Sequence, residues 1–172
     1  NYCDGTASDD VVAHEWGHAY TQFTSNLVYA YESGALNEAY SDIWGETIDL
    51  LNSYADVGED LSLRTSCTNS DRWKMGEDAT AFGAPIRDMW NPNCNLDPGS
   101  TTDSIYTCDY DLDDNGGVHS NSGIPNHLYA LLVDGGTYNG QTINSIGFTK
   151  AAHIFWRAQS QYLTRFSDFN IF

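Results

Sequence analysis

The sequence predicts a mostly α-helical fold with few strands and long loops. Helix signals occur in four segments, and long stretches between them are polar and rich in glycine and aspartate. With 41% hydrophobic and 13% aromatic residues, the composition is typical of a globular protein rather than a disordered one. A chain of 172 residues is long enough for a real core, so we expect one domain over residues 1–172.

Two helices are predicted in the first third of the chain, from Asp9 to Thr24 and from Ser33 to Ser53. Ser8 is a good N-cap for the first of them. The two aspartates that follow Ser8 give this helix an acidic first turn, which the positive end of the helix dipole favours.

Two further helices are predicted from Ser122 to Val133 and from Phe148 to Leu163, because their apolar residues recur at helical spacing. Pro125 is tolerated in the first turn of the earlier one. The segments from Tyr54 to Ser70 and from Asn91 to Asn115 are predicted to be irregular. A loop as long as the second, inside a compact domain, is usually functional or metal-bound.

The charge balance excludes several classes of partner. Seven basic residues stand against 24 acidic ones, which gives a formal net charge of −17. Such a surface repels nucleic acid and anionic membranes, so neither is expected as a partner. No apolar run approaches the length of a membrane span, and no signal peptide is visible.

The four cysteines do not form a Cys-x-x-Cys pair, so they do not indicate a cysteine zinc site. Disulfides in an exported protein are the favoured interpretation, with three possible connectivities, and four free thiols are the alternative. The pairing we favour joins Cys94 to Cys108, because these two bracket a polar loop. The remaining two are Cys3 and Cys67.

The most informative segment is HEWGH at positions 14–18. His14 and His18 lie four apart, so on a helix they project from one face and can bind the same small cation. Glu15 cannot easily reach that cation and is free to accept a proton. Glu38, in the second predicted helix, supplies an acidic third ligand. Two histidines and one carboxylate with an open fourth position form a hydrolytic zinc centre.

Two residues near Glu38 are candidate partners of the histidines. A metal-bound histidine usually donates its other ring N–H to a carboxylate or carbonyl oxygen. Asp42, one turn beyond Glu38, or Asn37 could supply that acceptor. The alternative is that His14 and His18 are ordinary half-buried helix residues.

These residues lie in sequence blocks that resemble the thermolysin-like neutral metallopeptidases. Nineteen residues separate His18 from Glu38, which is the spacing of that family. The blocks follow the family's order and span most of the chain. The strong blocks cover residues 9–19, 32–42 and 114–123, and weaker ones cover residues 75–78 and 86–89.

The resemblance implies a role for each matching residue of the motif. His14, His18 and Glu38 resemble the zinc ligands. Glu15 resembles the general base that activates water and passes its proton to the leaving amine. The resemblance therefore implies Zn²⁺ as a catalytic cofactor.

The resemblance also implies groups that contact the substrate. His119 and Tyr29 resemble the pair that hydrogen-bonds the tetrahedral oxyanion, with Asp114 orienting His119. Arg87 resembles the arginine that holds a substrate carbonyl beside the pocket for the residue after the cut. A Leu, Ile, Val or Phe is the expected occupant of that pocket. Its apolar lining would consist of Val11, Met75 and Ile86.

A structural Ca²⁺ is a further possibility. Asp10, Asp49 and Glu77 resemble calcium-binding carboxylates of the family, and Glu46 resembles one used in a subset of its members. A cation from the chain is the alternative, because Arg72 paired with Asp49 or Glu46 would neutralise the same cluster. A second calcium ion is not expected.

The sequence therefore predicts a secreted, extracellular zinc endopeptidase that cuts proteins or peptides on the amino side of hydrophobic residues. A zinc exopeptidase and an inactive acidic binding module are the alternatives. The family carries a β-rich amino-terminal lobe before this helical one and further helices after it. The resemblance thus implies that residues 1–172 are a helical lobe truncated at both ends, whose partner in the full-length enzyme is the β-rich lobe.

Overall fold

A computed structural model describes residues 3–52, 58–108 and 112–170 of the chain. The mostly helical fold expected from the sequence is confirmed. The first three predicted helices are present, and each begins and ends within two residues of its predicted bounds. Ser53, the predicted end of the second helix, lies outside the described residues, as do parts of both predicted loops. The α-helices are α1 (Asp9–Phe23), α2 (Tyr31–Leu51), the single turn α3 (Asp114–Gly117), α4 (Gly123–Asp134) and α5 (Phe148–Arg157).

The fourth predicted helix changes its winding before it ends. Helix α5 passes at Ala158 into a π-helical turn that closes at Tyr162, so the helical path still reaches the predicted end of the segment. The long polar loop after residue 91 contains a short 3₁₀ helix, Pro92–Asn95. None of the described helices is both long and apolar enough to cross a bilayer.

The described strands are short and form two antiparallel pairs. Strand β1 (Lys74–Met75) pairs with β2 (Arg87–Asp88), so that Met75 lies opposite Arg87. Strands β3 (Gly136–Tyr138) and β4 (Gln141–Ile143) form a hairpin that the sequence analysis did not predict. An Asn-Gly pair with positive φ at both residues connects them, which is the turn that two-residue hairpins favour.

Helices α1 and α2 pack closely enough to bring their side chains to one site. A Cβ atom at Gly17 would lie 2.6 Å from the Cα of Ser41, so this position of α1 has no room for a side chain. Gly17 lies between the two histidines of α1, and Ser41 lies one turn after Glu38 on α2. The close approach therefore occurs beside the candidate ligands.

The main core lies on the other side of α2. It contains several aromatic residues, and ring contacts such as Tyr129 against Phe155, with centroids 4.9 Å apart, join α4 to α5. Two hydrogen bonds connect α2 to these elements: a buried one between Thr47 and Tyr129 at 2.8 Å, and a partly buried one from Trp44 to Gln159 at 2.9 Å. The largest fully buried side chains here are Trp73, Tyr40, Tyr129, Leu36, Ile43 and Met89.

The favoured disulfide pairing was wrong. The bond joins Cys67 to Cys94, with Cα atoms 5.5 Å apart, whereas Cys108 has a free thiol. The loop after Cys94 closes through Asp103 instead of a second cysteine, because its carboxylate accepts from Gly99 N at 2.6 Å and from an asparagine amide at 3.2 Å. Cys94 instead bonds to Cys67, which lies in the preceding loop.

The predicted cap of α1 is also different in detail. Ser8 occupies the N-cap position but makes no side-chain bond to a backbone amide of the helix. Its hydroxyl donates to Asp10, and the Asp10 carboxylate accepts from the amide of Val11 at 2.6 Å. Asp10, rather than Ser8, therefore accepts a hydrogen bond from one of the free backbone amides at the start of the helix, that of Val11.

Candidate metal centre

Three side chains from α1 and α2 converge on one point. The Nε2 atoms of His14 and His18 lie 3.1 Å apart. The Glu38 carboxylate faces both, with one oxygen 3.6 Å from His14 Nε2 and the other 3.4 Å from His18 Nε2. The one-turn spacing on α1 and the close packing of α2 together produce this arrangement.

The hydrogen bonds of the two rings fix where their protons lie. His14 Nδ1 donates to a carboxylate oxygen of Asp42 at 2.8 Å, and His18 Nδ1 donates to the amide oxygen of Asn37 at 2.8 Å. The Asn37 oxygen is identified because its amide nitrogen donates to a backbone carbonyl. In the neutral form of each ring, a proton on Nδ1 leaves the lone pair on Nε2, so in that form two lone pairs face each other and a carboxylate.

This donor set fits a zinc ion. Lone pairs at such a distance repel unless a cation lies between them, and the buried Oε2 of Glu38 makes no hydrogen bond within the described residues. Ligands at 2.0–2.1 Å in tetrahedral geometry would be about 3.3 Å apart. The observed separations of 3.1, 3.4 and 3.6 Å bracket that value. Two imidazoles and one carboxylate are also a ligand set that zinc uses.

Asp42 connects the histidine pair to the rest of the fold. It accepts a bidentate pair of bonds from Arg87, at 2.6 and 2.7 Å, and one from the amide of Asn126 at 2.7 Å. Burial alone would raise the pKa of Asp42, but the Arg87 guanidinium and the His14 hydrogen bond hold it well below its usual range. The carboxylate that orients His14 is therefore ionised.

We expect Asp42→Ala to weaken zinc binding about 10- to 100-fold, because His14 loses the acceptor that orients its ring. The same change should lower the free energy of unfolding by about 3–5 kcal/mol, because the buried Arg87 loses its partner. Competition with a chromophoric chelator, at a temperature where the variant is folded, measures the affinity.

Asp134→Ala is a matched control for this variant. It removes a half-buried carboxylate that makes a bidentate pair with Arg72, at 2.6 and 2.7 Å, away from the candidate ligands. The control should lose stability but keep zinc affinity. Equal zinc affinities in the two variants would show that Asp42 does not orient the ligand.

Tyr29 and His119 lie on the open side of the three ligands. The Tyr29 hydroxyl donates to Glu38 Oε1 and lies 3.2 Å from His119 Nε2. His119 Nε2 is also 3.5 Å from the other oxygen of Glu38. Burial and the neighbouring Glu38 carboxylate raise the pKa of Tyr29 above its usual range, so its hydroxyl stays protonated.

A left-handed turn positions His119. Residues 114–117 all have positive φ, from 52° to 86°, which aspartate, asparagine and glycine tolerate better than other residues. The turn lets the Asp114 carboxylate accept from both the backbone amide of His119, at 2.8 Å, and its ring Nδ1. The DNGG sequence is thus the local reason that Asp114 holds His119 in place.

The remaining predicted site residues are Glu15, Arg87 and the three apolar residues expected to line a pocket. Glu15 is exposed on α1, between the two histidines. Arg87 lies with Nη2 3.9 Å from Glu38 Oε2, and its guanidinium is engaged by Asp42. The structure brings the three predicted lining residues into one apolar cluster. The cluster has a fourth member, Ala79, which the sequence analysis did not predict. This cluster consists of Val11, Met75, Ile86 and Ala79.

The predicted calcium carboxylates form a second cluster. Carboxylate oxygens of Asp10, Glu46 and Glu77 lie within 4.8 Å of one another, as do those of Asp49, Glu59 and Glu77. Burial and mutual repulsion raise the pKa of Asp49 to about 8 and that of Glu77 to about 10, and the pKa of Glu46 is also well above its usual value. These five carboxylates could hold a hard cation, which prefers oxygen ligands.

The arginine tether, which was the alternative to a calcium ion at this cluster, is not present in the structure. Arg72 pairs with Asp134 rather than with Asp49 or Glu46, and it lies over the ring of Trp73 with its guanidinium carbon 5.2 Å from the centroid. Lys74 pairs with Asp71 at 2.9 Å. The aromatic layer beside α4 thus attracts the Arg72 side chain away from the carboxylates.

Sequence reasoning missed Asn126 and Glu59. Asn126 reaches Asp42 across 84 positions of sequence, and nothing in its local pattern distinguishes it from a helix-surface asparagine. Glu59 lies in a segment predicted to be irregular, where a carboxylate has no periodic partner. The only sequence feature that pointed to Glu59 as a cation ligand was its neighbour Asp60. In a chain with 24 acidic residues, such a pair is not a specific signal.

Comparison with known proteins agrees with this geometry. The sequence profile of the thermolysin metallopeptidase alpha-helical domain matches residues 25–172. A zinc metalloproteinase of Renibacterium salmoninarum is 43% identical over 93% of this chain and 28% of its own length. A bacillolysin of Brevibacillus brevis is 41% identical over 94% of this chain and 27% of its own length.

A solved structure shares the fold. The precursor of protealysin, a metalloproteinase from Serratia proteamaculans, superposes with a TM-score of 0.63 at 28% identity, over 93% of this chain and 47% of that chain. The present chain therefore spans little more than a quarter of the length of the curated relatives and about half of this precursor.

Proposed function

Because this chain belongs to the thermolysin metallopeptidase family, we propose that it is the catalytic helical part of a zinc endopeptidase that acts on proteins or peptides. The observation that carries the proposal is the pair of Nε2 atoms that face each other and Glu38 at 3.1 to 3.6 Å. Bound there, zinc supplies Lewis acidity that polarises a carbonyl group and lowers the pKa of a water molecule to about 7.

Glu15 is the general base of the proposed reaction. Its carboxylate is exposed next to the ligands of α1, so it can take a proton from the attacking water and pass it to the leaving amine nitrogen. Asp42 and Asn37 hold the two imidazoles in fixed orientations while this proton moves. The rigid α1–α2 packing keeps the base at a constant distance from the ligands.

Tyr29 and His119 stabilise the oxygen that becomes negative as water adds to the carbonyl. Tyr29 donates its hydroxyl proton, which its raised pKa retains at neutral pH. Asp114 accepts from Nδ1 of His119, and a donation through Nε2 would require a proton on that nitrogen as well. Donors that are already in place when charge develops supply the electrostatic part of catalysis, which is usually the largest.

The apolar cluster of Val11, Met75, Ile86 and Ala79 is the proposed pocket for the residue after the cut. It would favour Leu, Ile, Val or Phe at that position, and Arg87 beside it would contact a substrate carbonyl. We further propose that the protein is secreted, since the bond between Cys67 and Cys94 suits an oxidising compartment. The β-rich lobe expected from the sequence would complete the cleft.

The acidic cluster is the proposed calcium site. Glu46 Oε1 and Glu77 Oε2 are buried and make no hydrogen bond within the described residues, so their lone pairs are available to a cation. Ca²⁺ takes six to eight oxygen ligands, and a cluster of five carboxylates can provide most of them. The cluster links α1 and α2 to the segment before β2, so a bound ion would hold these three parts together.

A casein digest with and without a zinc chelator tests the main proposal. We expect the enzyme that contains this chain to produce internal fragments, to lose this activity with the chelator, and to recover it with Zn²⁺ but not with Mg²⁺. Stepwise release of terminal residues would instead indicate an exopeptidase. Unchanged activity in the chelator would contradict a zinc mechanism.

A further inference from the structure

A cavity of about 430 Å³ lies directly beside the zinc ligands, on the side away from the apolar cluster. Two of its walls belong to the catalytic centre, since His18 is a proposed ligand and Tyr29 a proposed oxyanion donor. The proposed reaction also uses Asn37, which orients His18, but it assigns no role to the other residues that line the cavity. Its six lining residues are His18, Gln22, Asn26, Leu27, Tyr29 and Asn37.

The position of the cavity follows from the spacing along α1. Val11, His14, His18 and Gln22 lie three or four residues apart, so they form one stripe on this helix. The apolar cluster is at the amino-terminal end of the stripe, the ligands are in the middle, and Gln22 is one turn beyond them. A substrate bound across the ligands with one side in the apolar cluster therefore extends its other side toward Gln22.

The residues that line the cavity offer hydrogen bonds and include no carboxylate, lysine or arginine. Gln22 and Asn26 are exposed, and neither side-chain amide makes a hydrogen bond within the described part of the chain. Asn37, in contrast, uses its amide oxygen and nitrogen to bind His18 and the carbonyl of Leu27. Two free amides beside the Tyr29 ring are suited to an uncharged polar group.

The backbone conformation of Asn26 places its side-chain amide at the edge of the cavity. Asn26 has a φ of 52°, and its backbone amide donates to Thr21 at 2.7 Å just after α1 ends. This left-handed residue turns the chain back, so that Asn26 and Gln22 border the same cavity. Asparagine tolerates this conformation better than most residues, so the turn keeps a carboxamide at this edge.

We propose that this cavity is a substrate subsite that selects an uncharged hydrogen-bonding side chain, such as Asn, Gln, Ser or Thr, on the amino side of the cleaved bond. Gln22 and Asn26 are the specificity-determining residues. The proposal rests on the proposed function, because the side of the substrate is set by the apolar cluster that takes the residue after the cut.

Binding measurements with the zinc-loaded Glu15→Gln enzyme test the subsite without turnover. Peptides carry Leu after the expected cut and Asn, Leu or Lys at the first or the second position before it. The residue is varied at the first position in one peptide series and at the second position in the other. In one of these two series we expect the Asn peptide to bind about 2- to 10-fold more tightly than the Leu peptide, which is the range for one net hydrogen bond. Gln22→Ala should remove that preference.

Gln22→Glu provides the sharper test, because it adds a charge at the same place. Lys at the selected position should gain about 2- to 5-fold over Asn, the range for an exposed ion pair. Gln161→Glu is the matched control, since Gln161 is exposed on the π-helical turn and adds the same charge away from the cavity. It should leave the ratio of Lys to Asn binding unchanged.

Three results would overturn the subsite. Asn could bind no better than Leu in either series, the two glutamate variants could change the ratio equally, or Gln22→Glu could alter selection only after the cut. Cleavage of the Leu peptides by the wild-type enzyme tests the catalytic proposal separately. A failure of one proposal is therefore distinguishable from a failure of the other.

Discussion

Replacing Glu15 with glutamine is expected to lower peptide hydrolysis by at least about 10²–10⁴-fold while zinc stays bound. The amide keeps the size of the side chain but cannot accept the proton of the attacking water. The ligands, their acceptors Asp42 and Asn37, and the α1–α2 packing are unaffected, so metal affinity should change little. Metal content of the dialysed enzyme and kcat/KM on a casein-derived peptide measure the two quantities.

Asp4→Asn is the control for this variant. Asp4 is an exposed carboxylate before α1, so the control removes the same charge without touching the catalytic centre. It should hydrolyse the peptide at the wild-type rate. If Glu15→Gln also cleaved at that rate, another group would have to be the base, and if it lost its zinc, the loss of activity would not report on proton transfer.

In the absence of a cation, the stability of the protein is expected to fall as the pH rises from about 4.5 toward 10. The folded state raises the pKa of Asp49 to about 8 and that of Glu77 to about 10, and also that of Glu46, whereas in the unfolded chain these groups titrate near pH 4. Between these limits the folded state binds more protons than the unfolded state. The free energy of unfolding therefore decreases with increasing pH.

Calcium should reverse this loss. An ion that binds only the ionised cluster stabilises the fold by about 2.7 kcal/mol at 100 times its Kd, or about 5–10 °C in Tm for a chain of this size. At pH 8 we expect that increase, and at pH 5 a much smaller one, because protons compete for the same carboxylates. Calorimetric scans in a calcium-selective chelator and in excess Ca²⁺ measure the difference.

Glu46→Gln separates calcium binding from general screening. The variant removes one of the carboxyl groups whose pKa is raised, so the stability of its metal-free form should fall less between pH 5 and pH 8 than that of the wild type, and it should gain less from Ca²⁺. Sodium chloride at matched ionic strength is the control for screening. If sodium chloride raised Tm as much as Ca²⁺, or if Ca²⁺ had no effect at pH 8, the cluster would not be a calcium site.

The features that the sequence predicted well are those set by local repetition. The bounds of α1, α2 and α4 were placed within two residues, and the face shared by His14 and His18 followed from their spacing alone. The acceptors of these histidines were only narrowed to two candidates. The structure uses both, because each imidazole needs its own oxygen.

The features that could not be predicted depend on contacts between distant segments. The pairing of Cys67 with Cys94 depends on how two loops meet, and the bracketing of a loop by Cys94 and Cys108 was no guide to it. Arg72 had equally plausible partners in sequence, and the choice of Asp134 follows from the aromatic layer that forms only in the fold. Long-range geometry decides between chemically equivalent partners.

The bond between Cys67 and Cys94 would keep the chain in one piece if one copy of the enzyme cleaved another between these two cysteines. It closes a covalent ring across a sequence separation of 27, and both Met75 and Arg87 lie inside that ring. Residues 81–84 in the same ring are exposed, and Phe82 offers the kind of side chain that the proposed enzyme prefers after a cut. A nick at the Ala81–Phe82 bond would leave both fragments tethered, so the clipped protein could persist as one piece.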